Sequence, residues 1–468
     1  LSKIRTVVDS NGVRYDLIGV LGRGGQGAVY AVKGGRLAVK LIAGGNQINR
    51  EKLRNQLMHV RRLPLQELAL AKPLEMLRPP YTGYVMELLT GMIPLKAIVF
   101  PPKGISPSKE WYISSGGLRR RLLLLGRTAN LLAQLHAKGL AYSDPSLANI
   151  FISKDCEAHE VWLIDTDNLQ YESTPRKERH GVFTPGYGAP ELVAGKSGVT
   201  TLTDVYAFAV LAFHCLTLAH PFIGNMVDNG EPDLEEQAFA GLLPWIDDPD
   251  DDRNRAHFGI PRHWILSSRL VETFAQTFCS GRVDPKARPS ITEWMERLYA
   301  AADATITCPS CSASYFFTQP QCPWGCGATR PDFATAVFHL WDPHFGPEGG
   351  VLTKPKAEKS QPVLVGHGAV SDGQTFLITR RLAFGITSGL VNEPVVSVTL
   401  SGDRIKLKSL DGNTYVLISP SGKQKTEIDQ REKALRIVER QESWRLHFGD
   451  ESTLHRVVSF ELRKGDGA

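Results

Sequence analysis

The stretch Leu140-Ala141-Tyr142-Ser143-Asp144-Pro145-Ser146-Leu147-Ala148-Asn149-Ile150-Phe151-Ile152 decides how this chain is read, together with Val161-Trp162-Leu163-Ile164-Asp165 after it. Each piece joins turn-forming polar residues to a short apolar run, so each reads as a turn beside a strand. Two carboxylates and one amide on such turns suit magnesium phosphate chemistry. Asp144 would accept a hydroxyl proton, and Asn149 and Asp165 would hold the metals that bridge phosphates. Asp-Pro and Asn are also common turn residues, so the stretch needs support from elsewhere in the chain.

Upstream, Leu118 to Gly139 reads as a long amphipathic helix, with Leu122, Leu125, Ala129, Leu132 and Leu135 at helical spacing and Gly139 as a stop. Before it, Tyr15–Leu21 reads as a strand running into Gly22-Arg23-Gly24-Gly25-Gln26-Gly27. A lone Gly-x-Gly-x-x-Gly is weak. In a dinucleotide fold the last glycine opens a helix, whereas here Ala28–Val32 and Arg36–Ile42 continue as strands. A glycine hairpin followed by a strand carrying Lys40 fits a phosphate cover, with backbone amides near the phosphates and Lys40 on the α and β groups. An ordinary glycine-rich hairpin with a surface lysine is the bland alternative. Lys40 needs a carboxylate to hold it. Glu51, early in a helix expected from Gln47 to about Arg62, is the first choice and Glu67 the fallback. Strands are also expected near Leu74–Leu77 and Thr82–Leu88.

The chain has 468 residues, 54 basic and 49 acidic, a net charge of +5. That charge is too small to imply a nucleic acid or an anionic membrane as partner. The hydrophobic share of 42% and charged share of 22% suit ordinary globular domains. The longest apolar run, Val205 to Ala219, is too short to span a bilayer and reads as a buried helix. Leu1 to Ser10 lack an apolar leader core, so the cytoplasm is the expected compartment.

With these residues in order, the chain resembles a eukaryotic-type (Hanks-type) protein Ser/Thr kinase over about residues 13–300. Thr184-Pro185-Gly186-Tyr187-Gly188-Ala189-Pro190-Glu191 looks like the end of an activation segment. Asp204-Val205-Tyr206 opens an apolar helix as the central large-lobe helix does, His220-Pro221-Phe222 follows it, and Asp284 to Ser290 resembles the late arginine motif. The resemblance implies a bilobal α+β kinase fold, a buried Glu191–Arg288 pair, and an adenine site at Val29, Ala38, Met86, Glu87 and Leu89. It implies ATP, Mg²⁺ or Mn²⁺, and Ser/Thr of protein substrates or of the chain itself.

Departures narrow it. Tyr142-Ser143 replaces the usual His-Arg before the catalytic Asp, which makes activation by loop phosphorylation less expected. Ser146 replaces a lysine, which removes a cation from the phosphoryl group. Asp165-Thr166-Asp167 replaces Asp-Phe-Gly and adds a second carboxylate near the metals. These features resemble bacterial kinases encoded beside a von Willebrand A-domain protein and a metal-dependent protein phosphatase, in triads linked to tellurite resistance and stress. The implied partners are those two proteins. The rival reading is a pseudokinase scaffold that binds nucleotide and acts through its C-terminal parts, favoured by Ser146 and Asp167.

Cys308-Pro309-Ser310-Cys311 and Cys322-Pro323-Trp324-Gly325-Cys326 form two knuckles. Four thiolates at this spacing suit one tetrahedral Zn²⁺, with no open position for catalysis. A rubredoxin-type iron site is the alternative metal. A nucleic-acid adaptor role for this ribbon is disfavoured by its few basic neighbours. Cys156, Cys215 and Cys279 are expected to be buried or inert. The expected organisation is a kinase domain over 1–304 (small lobe to about 89), a zinc-ribbon module over 305–330, a linker over 331–361 read from the Pro-, Gly- and Lys-rich stretch Pro343 to Pro362, and an all-β accessory domain over 362–468. Within the last, Lys423–Glu442 reads as a helix or an exposed loop.

Overall fold

The structure is a computed structural model describing residues 5–24, 27–43, 47–172, 183–343, 363–386, 390–437 and 444–465. Glycine-loop residues Gly25 and Gln26, most of Pro343–Pro362 and the end of Lys423–Glu442 lie outside them. The chain divides into two compact units.

The first unit holds Leu1–Gly116, Leu123–Ile260 and Ser268–Met295. Its N-terminal sheet contains β1 (Thr6–Val8), β2 (Arg14–Gly24), β3 (Gly27–Val32), β4 (Leu37–Ile42), β5 (Glu75–Met76) and β6 (Gly83–Glu87), in the order β1-β2-β3-β4-β6-β5. Every pairing is antiparallel. Alternation along β4 sends Val39 and Leu41 into one cluster with Val7, Tyr15, Val32, Leu77 and Val85. The opposite face carries Lys40. Helix Gln47–Arg61 lays Leu57 against Met76 and Tyr84, and its polar side faces water.

Later in this unit, short strands frame the loops of interest: β7 (Met92–Pro94), β8 (Leu140–Ala141), β9 (Ile150–Ser153), β10 (Val161–Leu163) and β11 (Gln170–Tyr171). β9 lies between β10 and β7, and β8 pairs with β11. Two helices anchor them. In Gly117–Ala137, Leu124, Leu125, Ala129, Leu132 and Leu135 are buried on one stripe. Thr201–Thr217 is apolar almost all round and buried along most of its length, the pattern of a central core helix. A reciprocal cap between Thr200 and Thr203 starts it, and Leu218 in the left-handed region ends it. No helix among the described residues is long and apolar enough to cross a membrane.

The second unit holds Gly117–Leu122, Pro261–Ser267 and Glu296–Ala468. β12 (Thr305–Thr307) and β13 (Ser314–Phe316) form a hairpin. Beyond it come β14 (Phe333–Trp341), β15 (Leu364–Ser371), β16 (Thr375–Thr379), β17 (Pro394–Ser401), β18 (Arg404–Ser409), β19 (Tyr415–Ile418), β20 (Lys425–Ile428), β21 (Lys433–Arg436), β22 (Arg445–His447) and β23 (His455–Arg463). They make a six-stranded sheet, β15-β14-β23-β22-β19-β20, and a four-stranded sheet, β16-β17-β18-β21. Inward residues of both sheets, among them Phe338, Val398, Leu407, Leu417 and Phe460, share one core. One short helix, Arg380–Phe384, interrupts the strands.

Two expectations need correction. The segment 331–361 is not all linker, because β14 occupies Phe333–Trp341 and pairs with both β15 and β23. Its Ala334, Ala336 and Phe338 alternate into the core, a period-two signal masked by the Pro- and Gly-rich sequence that follows. Lys423–Glu442 holds no helix over its described part, and only its short connections are loop. Strands β20 and β21 run through it on sheet edges, where charged side chains keep contact with water.

Candidate active site

The loop after β8 is held from below. Asp204, fully buried in the first turn of helix Thr201–Thr217, accepts the backbone N–H of Tyr142 at 2.6 Å and of Ser143 at 2.9 Å. His136 Nε2 lies 3.0 Å from the same carboxylate. Ser143 takes a positive φ of 87° under this constraint. The Tyr142 hydroxyl donates to the Ile164 carbonyl, tying this loop to the one before Asp165. Tyr142 thus serves as a brace where the resembling family carries a His.

Asp144 projects from this loop. Its Oδ2 accepts Asn149 Nδ2 at 2.9 Å and the Thr184 hydroxyl at 2.9 Å, and its Oδ1 accepts the Thr184 N–H at 2.8 Å. Among the described residues Oδ1 accepts only this N–H, which leaves it capacity for an acceptor hydroxyl. Burial raises the Asp144 pKa, the bonds from Thr184 oppose the rise, and Asp165 adds to it. Beside it lies a cavity of about 360 Å³ lined by Ser146, Leu147, Thr184, Tyr187, His214 and Phe239 among others. Two atoms lining it, Ser146 Oγ and His214 Nδ1, are buried and have no hydrogen-bond partner among the described residues.

Lys40 sits on β4 opposite Val29 of β3 and Tyr84 of β6. Its ammonium is buried and touches Asp165, with Asp167 at 2.5 Å. Burial alone would lower the lysine pKa, but Asp167 and then Asp165 outweigh it and hold it above the ordinary value. Asp165 adopts a left-handed backbone, φ 59°, before a turn at Thr166–Asn168. That turn brings both carboxylates of Asp165-Thr166-Asp167 to one side. Asp167 also accepts the Tyr84 hydroxyl, and its carbonyl accepts Gln56 Nε2 at 2.7 Å.

Here the expectation for Glu51 fails. Glu51 lies on an exposed position of its helix and forms no ion pair with Lys40 among the described residues. Glu67, the fallback, is exposed as well, with φ 71°. The physical reason is that Asp167 and Asp165 already surround the ammonium, while the helix offers only the neutral amide of Gln56. Asp167 was expected beside the metals as an extra charge. Its two oxygens are instead engaged by Lys40 and Tyr84.

The glycine hairpin is β2–β3, with Gly22 opposite Val29 and Gly24 opposite Gly27. Gly27 has φ 151°, and a Cβ there would lie 2.1 Å from the Leu41 carbonyl oxygen. Only glycine lets β3 approach β4 this closely. Ala38 pairs with Met86 and Leu37 with Glu87, so Val29, Ala38 and the β6 end share the sheet that carries Lys40. Leu89 is the second residue after β6. Arg288 donates to both oxygens of Glu191 at 2.8 Å and also to the Gly281 and Leu202 carbonyls.

The family profile described as protein kinase domain matches residues 15–300. The chain belongs to the protein kinase family. Serine/threonine-protein kinase pkn2 of Myxococcus xanthus is 29% identical over 226 residues, 47% of this chain and 24% of that protein. The DNA damage-responsive serine/threonine-protein kinase RqkA of Deinococcus radiodurans is 27% identical over 220 residues, 45% of this chain and 31% of that protein. The serine/threonine-protein kinase PknD of Chlamydia pneumoniae is 27% identical over 238 residues, 45% of this chain and 24% of that protein. The chain therefore spans about a quarter to a third of these relatives. Protein kinases use ATP and Mg²⁺, and the donors present fit that use. Asp165 and Asn149 supply the hard oxygens that Mg²⁺ takes, and Lys40 is a cation suited to phosphate.

In the second unit the Sγ atoms of Cys308, Cys311, Cys322 and Cys326 lie within 4.8 Å of one another. Cys308–Cys326 are 3.5 Å apart and Cys311–Cys322 3.7 Å. A tetrahedral Zn²⁺ with bonds of about 2.3 Å needs sulfurs roughly 3.8 Å apart, so the set fits zinc. Bonds from Cys308 N–H to the Ala313 carbonyl and from Cys322 N–H to the Ala328 carbonyl close the two knuckles. Trp324 Nε1 donates to Ser314 O at 3.0 Å and fixes the second knuckle on β13. Sequence reasoning missed Tyr84, Gln56 and the clamp by Asp204. An acidic residue in the first turn of an otherwise apolar helix was the available signal for Asp204. For Tyr84 it was the strand register opposite Lys40.

Proposed function

We propose that this chain is an ATP- and Mg²⁺- or Mn²⁺-dependent protein serine/threonine kinase, acting on itself or on partner proteins in bacterial stress signalling. The observation that carries the reading is Asp144, oriented by Asn149 and by Thr184, a residue that also lines the neighbouring cavity. Asp144 would align a Ser or Thr hydroxyl and take its proton as oxygen bonds to the γ-phosphorus and ADP leaves. Lys40 would orient the α and β phosphates under the glycine hairpin, with adenine between Val29 and Ala38 on one side and Met86, Glu87 and Leu89 on the other. Asn149 and Asp165 would hold the Mg²⁺ that offsets phosphate charge. The Glu191–Arg288 pair would be architectural.

The kinase domain is taken to end near residue 304, followed by a structural zinc module over 305–330 and a β domain that begins at β14. Its partners would be a von Willebrand A-domain protein and a metal-dependent phosphatase. The four clustered thiols suit a reducing, cytoplasmic setting. The test is incubation with labelled ATP and Mg²⁺ or Mn²⁺ beside Asp144→Asn, with phosphosites mapped by mass spectrometry. Label on Ser or Thr in the native protein alone supports the kinase. ATP binding without transfer, with the candidate partners present, would favour the pseudokinase scaffold.

A further inference from the structure

We propose that Asp167, held by Tyr84, is the residue that positions the active-site lysine, in place of any carboxylate on helix Gln47–Arg61. The proposal rests on the kinase reading. Lys40 Nζ lies 2.5 Å from Asp167 Oδ2, with the two side chains 8% and 4% exposed. A charge buried to that extent needs a partner, so each holds the other. The second Asp167 oxygen accepts the hydroxyl of Tyr84, which stands opposite Lys40 in the β4–β6 register and is fully buried. One strand pair therefore carries both donors to this carboxylate.

The backbone around Asp167 is pinned as well. Its carbonyl accepts Gln56 Nε2, and the hydroxyl of Thr166 donates to the Ala71 carbonyl at 3.1 Å. Asp165 differs. Its side chain is 25% exposed, and among the described residues its carboxylate contact is with Lys40 alone. The two carboxylates thus divide the work. Asp167 keeps the ammonium in place, and Asp165 is the one free to turn to a divalent cation. Without Asp167, Lys40 would have only Asp165 and would compete with the metal for it. The helix contributes a neutral amide, so lysine positioning belongs to the metal motif itself and does not depend on a helix-borne charge.

The experiment compares Asp167→Asn, Tyr84→Phe and Glu51→Gln in the full chain. Asp167→Asn should need about 10-fold more Mg²⁺ for half-maximal transfer and lose about 100-fold in kcat, the scale of second-layer changes at metal sites. Tyr84→Phe should shift the Mg²⁺ requirement the same way by less. Glu51→Gln should shift neither. A purely structural role for Asp167 would lower the melting temperature without moving the Mg²⁺ half-saturation. A folded Asp167→Asn with native Mg²⁺ dependence, or a Glu51→Gln that reproduces the loss, overturns the proposal. If Asp167→Asn does not fold, Tyr84→Phe decides by the same readout. If the native chain transfers no phosphate, the kinase reading fails, and Mn²⁺ affinity in the presence of ATP then tests Asp167 by itself: a native value in the variant rejects it.

Discussion

Asp144 carries the sharpest consequences at the scale of single residues. Its pKa is raised, first by burial. A base must be ionised to work, so the acid limb of kcat/KM should lie higher than an unperturbed Asp would put it. The sign for stability is opposite. A carboxylate raised on folding stabilises the native state only at acid pH, and this is lost as pH rises through its folded value. We expect Asp144→Asn to abolish transfer, by about 10³-fold or more, while retaining nucleotide affinity. A pH–rate profile with its acid limb at an ordinary carboxylate value would contradict this account. Arg288 makes a second case. Its guanidinium is fully buried against Glu191 and two carbonyls. Arg288→Met strands Glu191, and a loss of about 3 kcal/mol is expected in chemical denaturation. A loss below 1 kcal/mol would show the pair to be dispensable.

Among the elements, the two cysteine knuckles are the ones whose order a bound metal would govern. β12 and β13 are three residues each, too short to hold four thiols together without metal. One Zn²⁺ per chain is expected by elemental analysis. Cys311→Ser should release it and expose Trp324, which packs edge-on to Trp264 at 5.7 Å. A tryptophan fluorescence change on chelation reports this, and no change in emission would argue against a structural metal. The order β2-β3-β4, helix Gln47–Arg61, β5, β6 and the helices Gly117–Ala137 and Thr201–Thr217 was legible in the sequence, because strand alternation, the Gly139 stop and an all-apolar helix are local patterns, whereas the three-residue strands β1 and β7 were not. β14, β20 and β21 were not, because short strands in polar or Pro- and Gly-rich sequence declare themselves only through their partners.

For the whole molecule, buried imidazoles set the response to acid. Burial, and then His220, pushes His214 down to about 3. His220 is pushed down to about 4, also by burial first. It accepts the Phe222 N–H at Nδ1, and its Nε2 lies 3.0 Å from the Gly186 carbonyl, so the neutral ring satisfies both contacts. In the second unit burial and then His455 push His447 down to about 4. Histidines depressed on folding leave stability intact above the unfolded value of about 6.5, and it is lost as pH falls. Each can add up to about 1.4 kcal/mol per pH unit to the slope. Denaturation midpoints should therefore fall between pH 6.5 and 4 in both units. A flat profile over that range would mean these rings are not buried in solution.

The family, the chemistry-bearing residue types and the cysteine set can all be read along the chain. Glycines, Lys40, Asp144, Asn149, Asp165 and the four thiols are recognisable by spacing along the chain, and spacing is a local property. Which carboxylate meets Lys40 is settled by the folded chain. Glu51 is near in sequence and on the expected helix, yet it faces water, while Asp167 arrives from 127 residues away. A buried ammonium takes the carboxylate that the fold brings into the same low-dielectric space, and no distance along the chain encodes that meeting.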